Sequence, residues 1–163
     1  MRLSLSLIAT LMFAGMTWAD QPARPDLNGT WKLEPAQSEI HSRVPSAMTW
    51  QIEQTDDGIH MVELEENKNA GDWHCGTDGK DCKVKDEGHN VTMSFYYNGP
   101  VLVELETEGE NITKRRISVS KDGNQMSVEV IHLMPAGRPT EKLVLSKQAG
   151  ATATASAATA QSH

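Results

Sequence analysis

Small turn-forming dipeptides divide this chain at short intervals: Asp57-Gly58, Asp78-Gly79, Glu87-Gly88, Asn98-Gly99, Glu108-Gly109 and Asp122-Gly123. Asn-Gly and Asp-Gly suit two-residue hairpins because both central positions take positive φ, which matches the twist of the strands they join. Between the turns the chain alternates. Met48, Trp50 and Ile52 interleave with Thr49, Gln51 and Glu53, while Val91, Met93, Phe95 and Tyr97 interleave with Thr92, Ser94 and Tyr96. The same period runs through Val101, Val103 and Leu105, Ile117 and Val119, Met126, Val128 and Val130, and Leu143 and Leu145. A period of two is what one buried and one wet face require of a strand. No long stretch keeps the helical period, and the segment from Pro35 to Ser42 has room for one short helical turn. The expected fold is therefore all-β: an antiparallel up-and-down meander of about nine or ten short strands. Closure into a barrel or half-barrel disposes of the sheet edges such a meander would leave open.

The ends are of a different character. Arg2 precedes an apolar run from Leu3 to Met16, and Thr17-Trp18-Ala19 offers small residues for cleavage. This three-part pattern predicts an export signal at residues 1–19, too short for a membrane anchor. No cysteine lies at the cleavage point, so lipid attachment there is not expected, and no later stretch has the apolar length of a membrane span. Residues 20–26 read as a flexible lead-in, 27–148 as one domain of ordinary size, and 149–163, nearly all Ala, Thr, Ser and Gln, as a disordered tail. The expected location is periplasmic or secreted.

The full chain carries a formal charge of −7, and loss of the signal removes Arg2 and no acid. Such an acidic surface disfavours phosphate backbones and anionic lipid. Nucleic acid is not an expected partner; Lys114-Arg115-Arg116 is a three-residue run inside a strand pattern.

Cys75 and Cys82 flank Asp78-Gly79. If that dipeptide is a two-residue turn, the cysteines face one another across antiparallel strands within disulfide reach. An oxidising compartment favours the bond. The alternative is a zinc set of His74, Cys75, Cys82 and His89, but the spacing is not that of a zinc finger, and adjacent His74 and Cys75 point to opposite strand faces. The disulfide is the expected state, with no metal and no cofactor.

The common catalytic signatures are absent: no Gly-x-Ser-x-Gly, His-Glu-x-x-His, phosphate loop or Gly-x-Gly-x-x-Gly. The acidic series Glu104, Glu106, Glu108 and Glu110 reads as the solvent face of a strand whose other face carries Val103 and Leu105. Two polar side chains fall on apolar faces. Arg115 shares a face with Ile117 and Val119, and His132 with Met126, Val128 and Val130. An inward arginine can receive a ligand carboxylate in a dry site; a bulge or strand end that lets each residue reach water is the other reading. Among the aromatics Trp31, Trp50, Trp73, Phe95 and Tyr97, which could line a cavity or pack the core or rim, Trp50, Phe95 and Tyr97 are the candidate ligand-binding rings. Asn28, Asn90 and Asn111 begin Asn-x-Thr motifs, which a bacterial secretory context would leave unmodified.

Leu27-Asn28-Gly29-Thr30-Trp31-Lys32-Leu33, followed by Glu34, Pro35 and Ser38, resembles the opening of small secreted bacterial proteins of unassigned function that begin Gly-x-Trp-x-Leu. More distantly, Gly29-x-Trp31 is similar to the first strand of lipocalins and related calycin barrels. The resemblance implies that Trp31 closes the barrel bottom and that Lys142 or Lys147 of the last strand packs across it. It also implies a lipocalin-like barrel able to hold a small apolar molecule. The leading expectation is an exported carrier of a small hydrophobic or amphipathic ligand and, given the missing signatures, not an enzyme. The competing expectations are an envelope interaction module with a filled core, and an enzyme using His132 or His74 with a nearby carboxylate.

Overall fold

The computed structural model describes residues 24–42, 47–86 and 89–149. The expected export signal, the Glu87-Gly88 turn and all of the expected tail except Ala149 lie outside these residues. Ten strands form one antiparallel sheet: β1 (Gly29–Leu33), β2 (Met48–Gln54), β3 (Gly58–Glu65), β4 (Lys68–Gly76), β5 (Cys82–Asp86), β6 (His89–Asn98), β7 (Val101–Glu108), β8 (Asn111–Val119), β9 (Gln125–Met134) and β10 (Glu141–Lys147). A single 3₁₀ turn at Pro35–Gln37 is the expected short helical piece.

Sequential strands pair throughout, except at β4 and β5, and β1 also pairs with β10. The sheet order β4-β3-β2-β1-β10-β9-β8-β7-β6-β5 thus curls until its two end strands lie side by side. The result is a nearly closed up-and-down barrel with one seam. Cys75 and Cys82 are joined across that seam. The disulfide is as expected, but the hairpin that was to create it is not formed. Asp78 instead bridges to Tyr96, and the Gly79 N–H donates to the Phe95 carbonyl, so the connection leans on β6.

The turn residues explain most of the remaining pairings. Gly99, Gly109 and Gly123 have positive φ at the β6–β7, β7–β8 and β8–β9 connections. Between β3 and β4 the turn is made by Glu66 and Asn67, with φ of 49° and 65°. That is the primed-turn requirement met without glycine, with asparagine tolerating the left-handed region.

The packed core occupies the centre and one end of the barrel. Leu27, Trp31, Phe95, Leu102, Ile117, Met126, Val128 and Leu145 are all fully buried there. Trp31 is the hub: its Nε1–H donates to the Leu27 carbonyl at 2.8 Å, and Lys147 Nζ lies 5.2 Å from its ring centroid.

One face assignment is overturned. On β7 the residues that enter the barrel are Leu102, Glu104 and Glu106, while Val103 lies on the outer face between Tyr96 and Arg116 in register. Residues opposed across a strand pair share a face. Ile117 and Arg115 point inward, so their partners Leu102 and Glu104 must as well. Glu104 retains only 1% exposure, and an opposing guanidinium is what makes a buried carboxylate tolerable there.

Candidate functional site

Inside the barrel, toward the end opposite Phe95 and Tyr97, lies a cavity of about 200 Å³. β3 supplies Glu63 and Glu65, β7 supplies Glu104 and Glu106, and β8 supplies Arg115. Trp50, Met61, Trp73 and Met93 form its apolar walls, and Ala70 completes it. The alternation of β3 places Ile59 and Met61 in the core and carries Glu63 and Glu65 on along the same inward face. On β4 the register shifts opposite Glu63 and Leu64, leaving Ala70 as an extra residue between Asn69 and Gly71. Such a bulge re-aims the strand next to the site. Gly71 has no side chain for a steric reason: a Cβ there would stand 1.8 Å from Trp73 Cζ3.

The electrostatics are dominated by carboxylates. Arg115 donates through Nη1 to both Glu104 and Glu106. Desolvation disfavours its charge, but the two carboxylates outweigh that and hold the guanidinium more firmly protonated than usual. Glu63 is pushed up to about 7, chiefly by burial, against the opposing pull of Arg115 and the Trp50 side chain. The Trp50 and Trp73 residues are 3% and 6% exposed, and their indole N–H groups are buried without a hydrogen-bond partner among the described residues. The Trp50 side chain nonetheless favours the charged form of Glu63. Uncompensated buried donors of this kind are uncommon and costly.

The residues singled out from the sequence divide between two places. Arg115 and Trp50 line the cavity. Phe95 is fully buried in the packed end. Tyr97 lies beyond it, its hydroxyl accepting from Gln54 Nε2 at 2.8 Å and its ring 4.7 Å from Arg24 Cζ; burial raises its hydroxyl pKa. His132 faces inward near the cavity end, with Nε2 3.7 Å from Glu141, whose other oxygen accepts from Ser42. Glu63, Glu65, Glu104 and Glu106 were not singled out as site residues, and Trp73 was counted only among the aromatics. The signal for Glu104 was present: a two-residue turn at Gly109-Glu110 pairs Glu108 with Asn111, and hence Glu104 with Arg115.

No protein-family model and no curated protein matches this chain. Solved structures do. An abundant heat soluble (SAHS) protein from Ramazzottius varieornatus aligns over 79% of this chain and 100% of its own, with a TM-score of 0.62 and 12% identity. Fatty-acid-binding protein 1 of Echinococcus granulosus aligns over 76% and 98%, with a TM-score of 0.58 and 16% identity. The fold is that of a calycin-type barrel. A zebrafish ileal bile acid-binding protein in complex with cholic acid is similar at the same level, with a TM-score of 0.58 and 14% identity over 74% of this chain and 98% of its own. At these identities the likeness is one of architecture.

Proposed function

We propose that this protein is a non-enzymatic carrier that holds a small amphipathic ligand in the cavity between β3, β7 and β8. The observation that carries the reading is an interior space walled by two tryptophans and lined by charged groups, inside a fold whose solved neighbours include fatty-acid- and bile-acid-binding proteins. A space of about 200 Å³ equals the liquid volume of about six or seven waters, below the roughly 300–1,000 Å³ usual for drug-sized ligands. The ligand is accordingly smaller than a long-chain fatty acid. Export belongs to the same proposal, supported by the pattern at residues 1–19 and by the Cys75–Cys82 bond, which suits an oxidising compartment.

The envelope-module reading keeps one observation in its favour, the solid packing of the barrel around Trp31 and Phe95. Native mass spectrometry of protein purified gently from the exported fraction separates the two. The carrier reading expects a mass increment that disappears on denaturation, on a chain beginning near Asp20. A bare disulfide-bonded polypeptide that also takes up no small probe favours the filled module, and a chain retaining residues 1–19 removes the export reading.

A further inference from the structure

We infer that the outer face of β2, β3 and β4 holds a divalent transition-metal site, with His60 and His74 as nitrogen ligands and Glu53 as the carboxylate. The site is separate from the barrel interior, so it stands or falls independently of the carrier reading. Glu53 opposes His60 across β2 and β3, and His60 opposes His74 across β3 and β4. Residues opposed across paired strands share a face. The three side chains therefore form one row across the sheet, with Asp72 two residues before His74 on the same face. Their neighbours of opposite parity, Ile59, Met61, Trp73 and Cys75, are buried in the core. The row is outside.

Two observations separate this cluster from an ordinary solvated patch. The first is the ring pair: His60 and His74 stack with centroids 5.3 Å apart. Two imidazoles bound to one zinc ion through bonds of about 2.0–2.1 Å have centroids roughly 5 Å apart. The backbone register already holds the rings at chelating distance, and rotation about side-chain bonds turns their nitrogens to a common point. The second is the tautomer of His60. Its Nε2 lies 2.9 Å from Asp72 Oδ1, and a carboxylate accepts, so Nε2 carries the proton. In the neutral ring Nδ1 then presents a lone pair, and Glu53 Oε2 stands 3.8 Å from it. Two lone pairs face one another, and a metal ion joins them. Histidine ligands commonly give their other N–H to a carboxylate, which fixes the tautomer and raises the basicity of the binding nitrogen. Asp72 is in that positioning role.

Among the described residues no three such groups yet converge on a point. Glu53 and His74 are exposed, and turning their side chains completes the site as the metal enters, with solvent in the remaining positions. This set is not the His74, Cys75, Cys82 and His89 group, whose cysteines are bonded to each other. Imidazole ligands favour zinc and copper over calcium, and copper over zinc.

The test titrates Zn²⁺, Cu²⁺ and Ca²⁺ separately into untagged, mature, disulfide-bonded protein by calorimetry. One Zn²⁺ is expected to bind each chain saturably, with Cu²⁺ tighter and Ca²⁺ at least about tenfold weaker than Zn²⁺. The imidazole ¹⁵N shifts of His60 should show a proton on Nε2 before zinc is added and coordination at Nδ1 after it. His60→Gln and His74→Gln should each weaken zinc by more than about tenfold, and Asp72→Asn by about tenfold with the melting temperature of the metal-free protein unchanged. His89→Gln, on β6, should leave zinc affinity as it was. Zinc that leaves the His60 and His74 resonances in place overturns the site. So does zinc that binds the His60→Gln, His74→Gln double variant as tightly as the parent. Calcium binding as tight as zinc would reduce the cluster to an acidic surface and overturn it equally.

Discussion

Cys75 on β4 and Cys82 on β5 are bonded, with Cα atoms 5.7 Å apart, across the one junction in the described sheet where spatially neighbouring strands are not hydrogen-bonded to each other. Elsewhere the ladder holds each strand to the next, so the bond does locally what a missing set of backbone hydrogen bonds would do. Closing an eight-residue loop stabilises by about 2.5 kcal/mol in the chain-entropy model. The Cys75→Ser, Cys82→Ser double variant is expected to melt roughly 10 °C lower than the oxidised protein. Reductant should reproduce that shift in the native chain and have no effect on the variant. An unchanged melting temperature would show that packing alone holds the seam.

Arg115 is predicted to be structural before it is anything else. Its guanidinium answers Glu104, which is buried to 1% exposure, and also Glu106. Removing one member of a buried pair leaves a charge the interior cannot solvate, so Arg115→Ala should cost about 3 kcal/mol in denaturant unfolding. Adding Glu104→Gln to that variant should return most of the loss. A single substitution that leaves the unfolding midpoint in place would mean the pair is solvated and the cavity open to water.

Turn chemistry made the strand rhythm legible, and the contents of the barrel were harder to read for a definable reason. The glycines at 99, 109 and 123 mark real connections, and they delimit β6, β7, β8 and β9. On β7, however, apolar residues stand at both parities: Leu102 on one face, Val101, Val103 and Leu105 on the other. Counting apolar residues chose the majority face, and the barrel uses the minority one. Only pairing arithmetic through the β7–β8 turn, which opposes Glu104 to Arg115, breaks that tie. Glu63 and Glu65 were hidden similarly, because polar residues continue the inward face begun by Ile59 and Met61. Asp78-Gly79 misled in the opposite sense. It has the composition of a hairpin turn and a positive φ at Gly79, yet tertiary contact with β6 sets its path.

At the packed end, Trp31 and Lys147 make contributions of unequal size. Trp31 is fully buried, and its N–H is satisfied by Leu27. Trp31→Ala is expected to cost about 3–5 kcal/mol through the cavity it leaves. Lys147 approaches the ring from a partly exposed position, where a cation–π contact contributes about 0.5–1 kcal/mol. Lys147→Ala should therefore lower stability by no more than about 1 kcal/mol. Comparable losses from the two substitutions would mean that Lys147 holds the barrel end by more than its contact with the ring.

Glu63 should make the ligand-free barrel less stable as pH rises. In the unfolded chain its carboxyl titrates near the ordinary value of 4.5, and in the barrel burial lifts it to about 7. Between those two values the folded state holds a proton that the unfolded state has released. Stability from this group is thus fully present below about pH 4.5 and is lost as pH climbs through 7. Glu63→Gln, which keeps the shape and cannot ionise, should match the parent at low pH. At pH 8 it should exceed the parent by about 1–2 kcal/mol, a figure reduced for the group's residual contact with solvent. Thermal melts of both proteins from pH 4 to pH 8 measure the difference directly. Parallel curves over that range would mean that Glu63 ionises at its ordinary pKa, and that the cavity is wetter than its walls imply.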